Sequence, residues 1–151
     1  MKHLFAQRMA VVLCLAAFSV VAQAKYSENL AYKKYAVQPS QGQSLLEAIK
    51  AVSPFNRADG SIFHGHTDSK VSWSFDMRES SSRACTMGDV RVHLDALITL
   101  PELLSGSASQ RREFAPYIAA LREHELGHFQ LYQATAREIE LSLSQLPTMR
   151  K

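Results

Sequence analysis

The stretch LREHELGH, residues 121–128, places His124 and His128 four positions apart, with Glu125 directly after the first histidine. On a helix, side chains at i and i+4 share a face, so the two imidazoles can close on one ion. Zinc binds imidazole nitrogen at about 2.0–2.1 Å, and its catalytic sites keep one position open. Glu125 projects about 100° around the helix from His124, beside such an ion and not on it. A carboxylate there can take a proton from a zinc-activated water and hand it to a leaving amine. The residue types and their spacing therefore point to Zn2+-dependent hydrolysis of peptide bonds, with His124 and His128 as ligands and Glu125 as general base.

A structural role is the alternative. The apolar stripe of the C-terminal segment runs through Phe114, Ile118, Leu121, Tyr132, Ala136, Ile139, Leu143 and Leu146 at three- and four-residue steps. Continued from Leu121, it meets residues 124, 125 and 128, so polar groups interrupt a face expected to be buried. Unpartnered buried polar groups cost roughly 1–3 kcal/mol each. A metal would satisfy the trio at once, and a hydrogen-bonded network could do so too. Gly127, within the same turn, costs about 1 kcal/mol relative to Ala. Either another segment approaches closely there, or the glycine is simply tolerated.

A third protein ligand does not follow from the motif. Residue 134 is Ala, and Glu138 and Glu140 lie 10 and 12 positions past His128. On an unbroken helix that is roughly 15 and 18 Å along the axis, out of reach. The upstream candidates are His66 and His64, which share a face if extended, with Asp68 close by. His93, on the polar face of a strand, and Cys85 rank below them.

The positioning elements follow from periodicity. Ser44-Leu-Leu-Glu47 fits a capping box, and Leu45, Leu46, Ile49 and Val52 give a short helix stopped before Pro54. Asn56 to Gly60 reads as a turn. Val71, Trp73, Phe75 and Met77 alternate with polar residues, as do Val90, Val92, Leu94, Ala96, Ile98 and Leu100, giving two half-buried strands. On that pattern Trp73 and Cys85 belong to the core. Tyr32 to Val37 suits a short edge strand, with residues 25–31 a polar lead-in and 105–109 a loop. From Gln110 onward the pattern is helical, with Pro116 in the first turn or at a kink.

Residues 1–24 have the form of a signal peptide: Lys2 and Arg8, an apolar run from Met9 to Val21, then Ala-Gln-Ala. The run is short for a membrane span, which needs about 20 apolar residues. The expectation is a periplasmic or secreted protein, residues 25–151, with no stable membrane anchor after cleavage. The formal charge of +3 falls to about +1 once the leader is removed. No clustered basic patch argues for nucleic acid. Cys85 is the one cysteine outside the leader, so an intramolecular disulfide is not expected.

Three blocks resemble a bacterial family of unknown function described as predicted secreted zinc-dependent proteases. GHTDSKVSW at 65–73 resembles its Gly-x-Thr and Val-x-Trp strand. CTMGDVRVHLDALITLP at 85–101 resembles its Cys-led strand ending in Leu-Pro. LREHELGH at 121–128, with AREIE at 136–140, resembles its metal helix. Longer members continue past this helix with another cysteine and a histidine-containing tail, where this chain ends at Lys151. The resemblance implies that His124 and His128 bind the metal and that Glu125 is the catalytic base. The resulting expectation is one α+β domain, zincin-like, in which a short helix and a small, mainly antiparallel sheet pack on a long C-terminal helix. Its substrate would be a peptide or protein. A non-catalytic metal-binding or protein-interaction module on the same scaffold is the rival reading.

Overall fold

The computed structural model describes residues 25–80 and 82–150. The leader expected over residues 1–24 lies outside them. Strand β5 (Ala84–Leu103) is the axis of the fold. Its even-numbered residues from Val90 to Leu100 are all buried, as their alternation requires. Strand β1 (Lys25–Val37) pairs with it in parallel and β4 (His66–Glu79) antiparallel, so the order is β1-β5-β4. A two-residue strand, β6 (Met149–Arg150), caps the start of β5. A separate hairpin joins β2 (Phe55–Asn56) to β3 (Ile62–Phe63).

Helix α1 (Leu45–Val52) forms where its capping box predicts, with Ser44 and Glu47 each bonding the other's backbone N–H. Helix α2 (Ala108–Ser144) starts earlier than the apolar pattern suggests, because Ser107 and Gln110 form a second capping box. Pro116 lies beyond the first turn, and the helix continues through it. Its missing N–H would have met the carbonyl of Arg112, an exposed residue that water can satisfy.

Helix α2 lies across β5 and closes the main core with Ile118, Leu121, Leu126, Phe129, Ala136, Ile139 and Leu143. A second cluster ties α1 and Val37 to Phe114 and Tyr117. The described residues thus form an α+β arrangement with a small sheet and two helices. One strand pair, β1 with β5, is parallel. Among the described residues no helix is long and apolar enough to cross a membrane.

Three expectations are corrected. Residues 25–31 belong to β1 and are not a lead-in; Tyr26 and Leu30 anchor them on the core, while their other side chains face solvent. Trp73 is 54% exposed, and Phe75 and Met77 are exposed as well. They occupy an edge strand, whereas α2 covers the central one, so alternation there does not mean burial. Cys85 is a free, half-buried thiol at the start of β5.

Candidate metal centre

The middle of α2 meets the start of β4, and the motif divides between two faces. Glu125 is buried at 4% exposure on the ridge that continues through Phe129 to Ala136. His124, His128 and Tyr132 lie on the neighbouring, exposed ridge. The stripe therefore runs through Glu125 and Phe129, and only one member of the polar trio needs a partner inside. Thr67 is that partner: its hydroxyl lies 2.7 Å from Glu125 Oε2 and 3.0 Å from the Glu125 carbonyl oxygen. Satisfying this carboxylate therefore does not require a metal.

Gly65 makes the contact possible. A Cβ at this position would stand 2.8 Å from Glu125 Oε1 and 3.1 Å from Leu121 Cδ1. Close approach, one of the two readings for Gly127, is found here instead; nothing lies within 4 Å of a Cβ built on Gly127, which fits the other reading, a tolerated glycine. The two glycines should respond oppositely to a methyl group. Gly65→Ala is expected to cost about 1–3 kcal/mol by overpacking. Gly127→Ala should gain about 1 kcal/mol from helix propensity. Paired urea melts check both; equal shifts would contradict the clamp.

The imidazoles of His124 and His128 stand edge to face, their centroids 4.8 Å apart and their Nε2 atoms 3.2 Å apart. Two nitrogens bound to one tetrahedral ion at zinc–nitrogen distances are separated by about 3.3 Å. The separation is close to that value, and it is also that of a hydrogen bond from one ring to the other. Among the described residues no group of three or more His, Cys, Asp or Glu side chains is gathered to hold an ion.

Both imidazoles face a cleft of about 490 Å³ whose walls include Glu125, Thr67, His66, Tyr132 and the β2–β3 hairpin. His66 reaches this cleft with its ring against Phe55, centroids 4.8 Å apart. His64 turns elsewhere. Its Nδ1 lies 2.6 Å from the Tyr117 hydroxyl, and its Nε2 is buried without a partner. Burial, helped by Lys50, holds this imidazole below its ordinary pKa. Tyr35 donates to the His64 carbonyl, fixing the turn into β4. His93 lies on β5 beside Ser27 and Asp95, away from the cleft.

Sequence reasoning missed the hairpin wall and the clamp. Thr67 and Gly65 were visible only as part of a fold signature. Tyr132 continues the i, i+4 series from His124 through His128, a spacing that could have marked it as a cleft residue.

Residues 32–151 match a family described as a bacterial protein of unknown function (DUF922). No curated protein and no solved structure gives a match.

Proposed function

Since the chain belongs to that bacterial family, whose function is unknown, we infer its activity from the cleft itself: an exported, zinc-dependent peptidase with a zincin-like arrangement of helix and sheet. One observation carries the reading. Two imidazole nitrogens 3.2 Å apart share a cleft with a carboxylate that the fold has fixed in place. His124 and His128 would hold the ion. His66, already on the cleft wall, is better placed than His64 to complete the set after leaving Phe55.

Zinc bound there supplies Lewis acidity, lowering the pKa of a water and polarising a scissile carbonyl. Glu125 supplies the proton transfers. Thr67 engages Oε2, which leaves Oε1 to accept a proton from the attacking water. As the water oxygen bonds to the carbonyl carbon and the C–N bond breaks, Glu125 returns that proton to the leaving amine. Thr67 and Gly65 limit where the carboxylate can move, so its position is set before substrate arrives.

Hydrolysis of an unstructured peptide mixture tests this. Activity should disappear on chelation and return with added zinc. A second reading, a metal-binding or interaction module without turnover, is favoured by the placement of His66 on Phe55 and of His64 on Tyr117. Protein that binds zinc and cleaves nothing in a broad library would select it.

A further inference from the structure

The β2–β3 hairpin brings a cation into the same cleft. Arg57 lies on its wall, with the guanidinium carbon 4.4 Å from the centre of the Phe63 ring. The hairpin turn fixes the stem of this residue. The Arg57 N–H donates to the Ser61 carbonyl at 2.9 Å, and its own carbonyl accepts from Gly60 at 3.0 Å.

Among the described residues the guanidinium forms no ion pair, and Asp59 feels it only at longer range. Among the described residues the arginine ion pairing is Arg78 with Asp89, at the far end of the sheet. Asp59, on the same turn, gives its carboxylate to the N–H and hydroxyl of Ser61, which hold it below the usual range ahead of any effect of Arg57. A guanidinium over an aromatic face keeps its N–H donors in their plane, free for a bidentate acceptor. Among the described residues lining the cleft, the one carboxylate, Glu125, is buried and bonded to Thr67.

We propose that Arg57 is a specificity-determining residue that binds a substrate carboxylate, so that the cleft prefers acidic peptides. This rests on the peptidase reading and names its substrate class. The carboxylate can come from a Glu or Asp side chain or from the peptide's C-terminus. Phe63 pre-orders the guanidinium, and Phe55 and Phe63 line the wall beside it with apolar surface.

The test uses zinc-loaded full-length protein and one peptide sequence carrying Glu, Gln or Lys at each position in turn, each with a free or amidated C-terminus. A charge-assisted pair predicts a preference of roughly ten- to hundredfold in kcat/KM for the carboxylate-bearing member, expressed in KM. In Arg57→Ala that ratio should fall toward one, and Arg57→Lys should restore part of it. A preference for Glu that persists with amidated ends assigns the site to a side chain; one seen only with free ends assigns it to the C-terminus.

Equal rates across the series, or a preference that survives Arg57→Ala, would overturn the proposal while leaving the peptidase reading intact. The absence of hydrolysis in wild type counts against the peptidase reading instead. Direct binding of the same peptides by fluorescence anisotropy then decides the Arg57 question: Arg57-dependent selection of the acidic member supports it, and equal binding refutes it.

Discussion

Glu125→Gln should abolish most peptide hydrolysis while leaving the fold and metal binding in place. The glutamine side-chain oxygen can still accept the Thr67 hydroxyl that now reaches Oε2 at 2.7 Å. Its amide nitrogen would occupy the Oε1 position beside Gly65, with no lone pair able to accept a proton. Removal of a general base typically costs about 10²–10⁴-fold. The loss should appear in kcat, because the change removes proton transfer and not a binding surface. Steady-state kinetics with metal analysis on the same samples make the check. Unchanged kcat with zinc bound would remove Glu125 from the chemistry. Loss of zinc together with activity would show instead that the carboxylate serves the metal site as a structural element.

The second large effect concerns the ligand pair. His124→Ala or His128→Ala should take bound zinc from about one per chain to near zero, since a lone imidazole on an exposed ridge is a weak site. Both histidines are exposed, so neither substitution should change metal-free stability by more than about 0.5 kcal/mol. Zinc at a hundred times its Kd should stabilise wild type by about 2.7 kcal/mol, and this gain should vanish in both variants. His64→Ala is the contrasting case. It breaks the contact to Tyr117 and should lower stability, while zinc affinity stays as in wild type. Thermal melts with and without zinc separate the three. A His64→Ala protein that loses zinc would contradict the placement of His64 outside the cleft.

The parts of the structure legible in the sequence are those whose local pattern and tertiary environment agree. Strand β5 is buried on the face its alternation marks, because it is central and covered by α2. The Ser44–Glu47 box starts α1 where its side chains can reach the free N–H groups. Legibility fails where neighbours decide. Residues 25–31 carry little apolar signal, yet pairing with β5 makes them strand. Trp73 alternates as a core residue would, but sits on an edge that α2 does not fully cover.

The site divides in the same way. The spacing of His124, Glu125 and His128 was visible, and helix geometry rightly placed the two imidazoles together. The assignment of one common buried face was not right, since Glu125 alone turns inward. Its contact with Thr67 spans a sequence separation that no periodicity reports. The two-residue strands of the hairpin are too short to show a pattern, so Arg57 reads only as part of a turn and Phe63 has no reading.

Zinc content of the purified protein tests the central claim most directly. Elemental analysis after equilibration with zinc and removal of the excess should find about one ion per chain in wild type, and none in His124→Ala. A wild-type protein with this fold that retains no zinc under those conditions would contradict the metal centre, and with it the peptidase reading.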